Sequence, residues 1–359
     1  MHPHNNTKSV LHTTAGRFFH KALATLRLMP LAAVLLPAAC HRPDTPVKLQ
    51  GEAQGTYYNI VYYDPQHRNL KPQIDSLLHD FDLTASLWEQ NSTIRQANRH
   101  ENPPADATFQ NLLDRSLQME EYTQGAFNCK IGTLVNLYGF GFKNREDVTD
   151  RQIDSLLHLI QQGNYRIDHS GDTARILLSP GIELDFNAIA QGYAVDLLAQ
   201  MLDRHAINNY LIDVGGEVIA KGNKPDGTHW TVGIERPAKN KYSTQEIETA
   251  IALRNQSVVT SGSYRKYYEH NGTRYSHTID PATGRPVSHT LLSVSVVSAA
   301  AWYADAMATA FMVMGLDKSL QFIQNHPDNP DIQAVLFIYD DHGTYKTHAT
   351  PAFQTLITQ

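Results

Sequence analysis

Cysteine is scarce in this sequence, and so are the short motifs that assign a catalytic class directly. Only two cysteines, Cys40 and Cys129, occur among 359 residues, so a framework of several disulfides is excluded. The sequence has no Cys/His spacing typical of zinc sites and no Gly-x-Ser-x-Gly elbow of an esterase. It also lacks the lysine-containing P-loop and the Gly-x-Gly-x-x-Gly motif of nucleotide-binding folds. Any nucleotide site must therefore be built in another way.

An excess of positive charge is also missing. The chain has 30 Lys and Arg against 36 Asp and Glu, which gives a formal net charge of -6. Short basic clusters such as Arg265 and Lys266 favour a solvated surface, and nucleic acid is not an expected partner. The composition, 42% hydrophobic and 18% charged, is that of a globular protein with enough apolar residues for one large core or two smaller ones.

The N-terminal region has an apolar run, residues 28–39, that is too short to span a bilayer comfortably. Four basic residues precede it and Cys40 follows it, which is typical of a secretory signal. Pro37-Ala38-Ala39-Cys40 is similar to the end of a lipoprotein signal, in which the cysteine is lipidated; a plain secretory signal with an incidental cysteine is the alternative. We therefore expect a signal at 1–40, a tether at 41–50 and a single domain at 51–359.

Hydrophobic spacing along the rest of the chain predicts alternating groups of strands and helices. Helices are predicted to begin near Pro72 and to cover 106–125, 149–162, 188–205 and 299–314. Strands are predicted at 51–63, 175–178, 182–186, 210–214, 230–235, 250–254, 292–297 and 333–339. Because the strands occur in hairpin-like groups separated by helices, the pattern predicts an α+β fold rather than a doubly wound parallel sheet.

A first candidate site is the pair Asp305 and Thr309. Residues four apart share one face of a helix, and a carboxylate and a hydroxyl are hard oxygen donors that suit Mg²⁺. Small alanines around the pair leave room for a bulky ligand. The alternative is that Asp305 caps backbone amides near a helix start while Thr309 lies in the core, and spacing alone favours this alternative.

A second candidate is the segment Glu183 to Asp196, with the sequence ELDFNAIAQGYAVD. A predicted strand ends there, a turn of small residues follows and a helix begins. Such a junction offers free backbone amides to a phosphate and free carbonyls to a metal. Taken alone, this junction does not identify a ligand.

A third candidate is the stretch YSHTIDPATGRPVSH, residues 275–289. Asp280 begins a Pro-Ala-Thr-Gly turn, whose amides its carboxylate can bind. His277 stands three residues before Asp280. A histidine in such a place is usually a surface residue, but beside a metal and a phosphate it can take a proton from a hydroxyl.

Eight segments, in this order along the chain, resemble the motifs of the ApbE family of FAD:protein FMN transferases. They are 54–57, 86–98, 125–141, 185–196, 214–217, 260–262, 277–286 and the Asp305/Thr309 pair. The resemblance implies an α+β architecture of the T-fold type. It also implies a reaction that splits FAD at its pyrophosphate, attaches FMN to a Ser or Thr hydroxyl of a partner protein through a phosphoester and releases AMP.

The resemblance also implies roles for individual residues. The side chains of Asp305 and Thr309 and the carbonyls of Ala190 and Ala308 are the implied Mg²⁺ ligands. His277 is the implied base, with Asp280 and Thr283 shaping the turn beside it. The residues implied to line the flavin nucleotide are Gln54, Ser86, Leu87, Asn128, Asn187, Tyr193 and Ile279.

The implied biology is that of a bacterial lipoprotein on the periplasmic, extracytoplasmic face of a membrane, held there through Cys40. Its implied acceptor is an exported protein with a Ser/Thr flavinylation motif, of the membrane redox class. Four positions depart from the family pattern: Gln191 replaces a common lysine, Gln54 a methionine, Asn128 an aspartate and Ser263 an aspartate. These changes leave two alternatives open, hydrolysis of FAD to FMN and AMP, and a lipid-tethered protein that only binds flavin.

Overall fold

The computed structural model describes residues 45–140, 148–238, 246–263, 267–270, 273–276, 278–327 and 329–358. Residues 42–359 form one compact unit. The predicted signal at 1–40, with Cys40, and the predicted base His277 lie outside the described residues. Within the described ranges, no helix has both the length and the apolar character that crossing a membrane requires.

The described chain contains both helices and strands in a mixed order. The helices are α1 Lys71–Ala85, α2 Thr93–Asn98, α3 Ala107–Tyr122, α4 Gly132–Leu137, α5 Asp150–Gln162, α6 Ala190–Arg204, α7 Ala301–Asn325 and α8 Pro351–Gln354. The strands are β1 Val47–Ala53, β2 Thr56–Tyr62, β3 Tyr165–Asp168, β4 Arg175–Leu178, β5 Tyr210–Val214, β6 Glu217–Lys221, β7 Trp230–Glu235, β8 Ile247–Leu253, β9 Gln256–Gly262, β10 Tyr267–His270, β11 Thr273–Ser276, β12 Ile279–Asp280, β13 Arg285–Pro286, β14 Leu291–Ser298, β15 Ala334–Asp341 and β16 Thr344–Ala349.

The main sheet has eight strands in the order β1-β2-β5-β6-β9-β14-β15-β16, and every neighbouring pair is antiparallel. The remaining strands form two-stranded pairs, among them the short β12–β13 hairpin around Asp280. A large antiparallel sheet with helices packed on it confirms the predicted α+β class.

Both faces of the central strands are buried, because successive side chains point to opposite sides of a sheet. Val259 and Val296 belong to the large core between the sheet and helices α1, α3, α6 and α7. Their neighbours Val258 and Val297 belong to a second core, which the β7–β8 pair and Phe353 of α8 cover. The helices that carry the candidate site residues are thus supported by the sheet.

Local capping explains why several helices begin where the sequence predicted. The Asp106 carboxylate accepts the N–H of Phe109 at 2.7 Å, and Thr149 forms a capping box with Gln152 at the start of α5. Pro72 occupies the first turn of α1, where its missing N–H costs nothing.

Two strand predictions need correction. Residues 51–63 are not one strand, because Gln54 and Gly55 take positive φ angles of 54° and 71° and turn the chain into the β1–β2 hairpin. That hairpin begins at Val47, inside the segment predicted as a tether.

Residues 182–186 are extended but do not form a strand. Ile182, Leu184 and Phe186 are buried, which explains the alternating pattern, yet the segment makes only an isolated bridge between Glu183 and Ile131. The side chain of Asn98 takes the place of a partner strand at Leu184: it donates to the Leu184 carbonyl at 2.9 Å and accepts the Leu184 N–H at 2.7 Å.

Candidate active site

Helices α6 and α7 lie side by side, and each is capped by a carboxylate from the other. Their own N-cap residues, Ile189 and Ala300, are apolar and make no capping bond through a side chain. Asp196 of α6 accepts the backbone N–H groups of Ala301 and Trp302, both at 2.9 Å. Asp305 of α7 accepts the backbone N–H of Gly192, in the first turn of α6, at 3.0 Å. Free helix N-terminal amides are therefore satisfied across the contact.

Glycine at position 192 allows this contact. A Cβ there would lie 2.4 Å from the carbonyl oxygen of Ala301 and 2.9 Å from Cβ of Asp305. Any larger residue would thus push the start of α7 away from α6. The close approach brings the Asp305 carboxylate to the α6 N-terminus.

Burial dominates the electrostatics of the paired carboxylates. Asp305 is only 5% exposed, and burial raises its pKa above the ordinary value. The Gly192 N–H opposes that shift, and the negative charge of Asp196 adds to it. The pKa of Asp196 is raised as well, chiefly by burial, although its two backbone partners and Arg115 pull it down. In the part of the chain that the structure describes, no cationic side chain forms an ion pair with Asp305.

The predicted metal ligands lie on the two helices of this contact, Ala190 on α6 and Asp305, Ala308 and Thr309 on α7. Thr309 lies one turn after Asp305, and its hydroxyl is 3.3 Å from the Ser261 hydroxyl of β9. Ala308 is fully buried on the same helix, and Ala190 is the first residue of α6. Asp305 does cap backbone amides, as the alternative supposed, but the amide belongs to α6 and not to its own helix.

A backbone turn borders the α6 N-terminus. The side-chain amide of Gln191 donates to the Val214 carbonyl at 2.9 Å, next to the Gly215–Gly216 turn between β5 and β6. Gly215 adopts a φ of 61° and packs so closely on Gln191 that a Cβ would lie 2.3 Å from its Nε2. Gln54 lies in the β1–β2 turn, at the same end of the strands as the Gly215–Gly216 turn. Its Oε1 is buried without a hydrogen-bond partner among the described residues.

The β12–β13 hairpin holds Asp280 in a rigid turn. Its carboxylate accepts the N–H of Ala282 at 2.9 Å and the hydroxyl of Thr283 at 3.1 Å, while its carbonyl accepts the N–H of Gly284 at 2.8 Å. Arg285 forms an ion pair with Asp150 of α5 at 2.7 Å. Asp280 and Thr283 thus shape the turn as expected from the sequence.

A pocket of about 210 Å³ opens between the segment after α1, helix α2, helix α4 and residues 183–187. Two of the residues predicted to line the nucleotide, Leu87 and Asn187, lie in its wall. The wall also contains Trp88, Arg95, Asn98, Arg99, Gly132, Val135, Asn136, Phe140, Glu183, Leu184 and Asp185. It therefore combines aromatic and aliphatic surface with a few polar groups, as small-molecule sites do.

Five residues predicted to line the nucleotide, Gln54 among them, do not line this pocket. Ser86 ends α1, and its hydroxyl accepts the N–H of Trp88 at 3.2 Å. Asn128 bonds to Glu120 at 3.1 Å, beside the Glu120–Lys130 ion pair.

Tyr193 and Ile279, the other two, are buried. Tyr193 packs against Phe81 with a ring-centroid distance of 6.1 Å, and the Arg115 guanidinium lies 5.5 Å from its ring. Ile279 belongs to a small core with Leu134 and Ile153. A nucleotide role for these five residues stays a prediction.

Three wall residues, Trp88, Arg95 and Glu183, had no predicted role of their own, although each lies in a candidate or family-like segment of the sequence. Trp88 is 68% exposed, the largest exposure among the exposed large hydrophobic residues of the described chain. The available signal in the sequence was the tryptophan directly after Ser86 and Leu87, because it falls within a segment that resembles the family.

Comparison with known proteins identifies the family. The model of the ApbE family matches residues 54–336. A curated protein from Vibrio cholerae serotype O1, named FAD:protein FMN transferase, is 34% identical over 347 residues, covering 92% of this chain and 99% of its own.

Solved structures agree with that match. The flavin transferase ApbE from Vibrio cholerae superposes with a TM-score of 0.73 at 30% identity, covering 88% of this chain and 100% of its own. The apo form of the Pseudomonas stutzeri flavinyl transferase ApbE gives a TM-score of 0.74 at 30% identity, covering 87% and 97%. With matching sequence, fold and order of motifs over most of its length, the chain belongs to the ApbE family.

Proposed function

We propose that this protein transfers FMN from FAD to a Ser or Thr hydroxyl of an acceptor protein, with Mg²⁺ as cofactor and AMP as the second product. The observation that carries the proposal is the Asp305 carboxylate at the N-terminus of α6, one helical turn before Thr309, whose hydroxyl lies 3.3 Å from that of Ser261. An oxygen donor for a cation therefore lies at a helix N-terminus, where the helix dipole favours an anion, and a metal-bound pyrophosphate requires both. The curated relative named FAD:protein FMN transferase supports the same reaction.

The residues at this contact fit Mg²⁺. Asp305 is a buried carboxylate whose raised pKa reflects burial without a described cationic partner, and a divalent cation would favour its charged form. The described residues contain no cluster of three or more His, Cys, Asp or Glu, so neutral oxygens must complete the set. Thr309 and the Ala190 and Ala308 carbonyls would supply them, as would the phosphates of the substrate. Bound there, Mg²⁺ supplies neutralisation of the negative charge on the pyrophosphate.

The proposed reaction exchanges one phosphorus–oxygen bond for another. The acceptor hydroxyl oxygen bonds to the phosphorus of the FMN half, and the bond from that phosphorus to the bridging oxygen breaks. AMP leaves with the bridging oxygen, and the hydroxyl proton passes to His277 as general base. Asp280 and Thr283 hold the turn that follows His277 through the bonds described above.

The flavin nucleotide is proposed to use the pocket beside Trp88. An exposed aromatic ring and the apolar side chains of Leu87, Val135 and Phe140 suit a planar heterocycle. Asn98 is already engaged with Leu184, so its part is to hold the pocket wall in place.

The test follows two products at once. The protein is incubated with FAD and Mg²⁺, with and without a protein that carries a Ser/Thr flavinylation motif, and AMP and acceptor mass are measured together. AMP release with an acceptor mass gain of FMN less one water is the expected result. AMP with free FMN and an unmodified acceptor would indicate an FAD pyrophosphatase instead, and bound FAD without AMP would indicate a flavin-binding protein.

Matched variants assign the residues. Asp305→Asn keeps an oxygen that can accept the Gly192 N–H but loses the charge, so turnover at saturating Mg²⁺ should disappear while the fold remains. Thr309→Val should lose activity and Thr309→Ser should keep it, because only serine retains the hydroxyl. His277→Gln should lower transfer by about 10²–10⁴-fold, the usual scale for a general base.

We also propose that the protein is exported and anchored at the extracytoplasmic face of a bacterial membrane through a lipid on Cys40, where exported redox proteins would be its acceptors. The signal-like sequence of residues 1–40 supports this proposal. Labelling of cells with a radioactive fatty acid should modify the wild-type protein and not Cys40→Ser. Equal labelling of both would refute the anchor.

A further inference from the structure

His289, the last residue of the 275–289 stretch, takes no part in the proposed reaction. Its ring nitrogen Nε2 lies 2.7 Å from the carbonyl oxygen of Met312 in α7. A carbonyl can only accept a hydrogen bond, so Nε2 carries the proton and donates it. The imidazole is thus a side-chain donor to the backbone of the helix that carries Asp305 and Thr309.

The carbonyl of Met312 needs an outside donor because α7 is broken shortly after it. Gly315 has φ 76° and ψ 174°, which no helix accommodates. The last carbonyls before such a break lack partners within the helix. Ser319 donates to the Phe311 carbonyl at 3.2 Å and His289 to that of Met312, so two side chains hold the end of this helical segment.

The break and the imidazole fit each other. A Cβ at Gly315 would lie 2.9 Å from Cδ2 of His289 and 3.2 Å from its Cγ. The positive φ favours glycine at this position, and the absence of a side chain leaves room for the ring. The backbone of α7 at Gly315 thus leaves space for the imidazole beside the Met312 carbonyl.

His289 lies between the Asp280 hairpin and the main sheet. Val287, two residues earlier, donates to the Thr278 carbonyl at 3.0 Å and so belongs to the base of the hairpin. The carbonyl of Thr290, the next residue, accepts the N–H of Asp340 at 2.9 Å, near the end of β15. The bond from His289 to Met312 consequently ties the hairpin to α7.

The helical segment from Ala301 to Met314 is therefore held at both ends by residues from elsewhere in the chain. Asp196 binds its first two amides, and His289 binds a carbonyl of its last turn. Asp305 and Thr309 lie between these two points. A shift of either end would move both side chains relative to the α6 N-terminus and the Asp280 hairpin.

We propose that His289 is a positioning residue for flavin transfer, which sets the place of Asp305 and Thr309 relative to the hairpin through its hydrogen bond to Met312. This inference rests on the proposed function, because the positioned side chains are the proposed Mg²⁺ ligands. Residues that orient metal ligands in this way change metal affinity or activity by about 10–100-fold when replaced.

The test compares His289→Gln with His289→Met. The Nε2 of glutamine is separated from Cα by as many bonds as the Nε2 of histidine and carries N–H donors, whereas methionine has the same length and no donor. His289 is exposed, so neither replacement leaves a cavity in a core. His289→Leu is the second donor-free variant, to be used if the methionine variant does not fold.

Three quantities are measured for each protein: the Mg²⁺ concentration for half-maximal AMP release, the FAD dissociation constant from flavin fluorescence, and the rise in Tm on adding Mg²⁺ with FAD. His289→Met should need at least about tenfold more Mg²⁺ and show a smaller rise in Tm. Its FAD affinity and its Tm without Mg²⁺ should stay near the wild-type values. His289→Gln should behave like the wild type in all three.

Each other result has a distinct meaning. A methionine variant with the wild-type Mg²⁺ requirement, or a glutamine variant as impaired as methionine, would overturn the role of the Nε2 donor while leaving the proposed function intact. A general fall in Tm and FAD affinity in the methionine variant would show a merely structural role. If the wild type itself released no AMP with Mg²⁺, the proposed function would fail, and the inference with it.

Discussion

Replacing Gly192 by alanine is the most direct perturbation of the contact between α6 and α7. The new Cβ would lie 2.4 Å from the Ala301 carbonyl oxygen, whereas ordinary van der Waals contact begins at 3.4 Å. The overlap of about 1 Å is with backbone, so no side chain can rotate away. The first turn of α7 must move, and the 3.0 Å bond from the Gly192 N–H to Asp305 must stretch or break.

Two opposing effects set the size of the change in stability. Alanine is better than glycine inside a helix by about 1 kcal/mol. Overpacking costs about 1–3 kcal/mol, and a backbone obstacle places this site at the upper end. The overlap therefore outweighs the helix propensity, with a net loss of about 2 kcal/mol, or a fall in Tm of about 3 °C for a unit of this size.

The loss of activity should exceed the loss of stability. A displacement of about 1 Å in a positioned group can lower the rate by about 10²-fold. Tm is measured by calorimetry, and AMP release is measured well below the Tm of the variant.

Gly171→Ala is the matched control, because nothing lies within 4 Å of its added Cβ and its φ is not in the left-handed region. That control should leave Tm unchanged or raise it slightly. If Gly192→Ala kept the Tm and activity of the wild type, the geometry described here for the α6–α7 contact would be refuted.

Three further predictions concern other buried groups. In Asp64, burial opposes ionisation, but hydrogen bonds from the Arg68 side chain and from two backbone N–H groups lower the pKa to about 2. Its stabilising effect is complete above the unfolded pKa near 4 and disappears as pH falls towards 2, so the free energy of unfolding should drop over that range more steeply for the wild type than for Asp64→Asn. Asp196→Ala removes both capping bonds of α7 and should cost about 1–2 kcal/mol in urea denaturation; an unchanged midpoint would contradict the capping role. Burial raises the pKa of the Cys129 thiol to about 12, so a thiol reagent at pH 8 should modify it only on unfolding, and rapid labelling of the native protein would count against that burial.

Local chemistry made several elements predictable from the sequence. Asp106 and Thr149 cap the helices that directly follow them. Each capping side chain therefore lies within four residues of the backbone N–H that it binds. Gly315 was predicted to end a helix and does interrupt one, although a second helical segment continues beyond it. The predicted strands 175–178, 210–214 and 230–235 have the observed bounds.

Distant contacts account for the errors. The segment 182–186 has the burial pattern of a strand, but the backbone of Leu184 at its centre is satisfied by Asn98, a side chain 86 positions earlier. Nothing in the segment itself distinguishes that arrangement from a strand, because burial alone produces the alternation.

The sequence by itself determined the α+β class, the order of the motifs and the chemical types available for the site: carboxylates, hydroxyls, a histidine and small residues around them. Only the tertiary structure decided which of these meet. Asp196 caps a helix that starts 105 residues later, and Asp305 caps one that starts before it in the chain. A buried amide requires an acceptor at about 3 Å but does not require it to be near in sequence, and the packing of the whole core decides which acceptor arrives there.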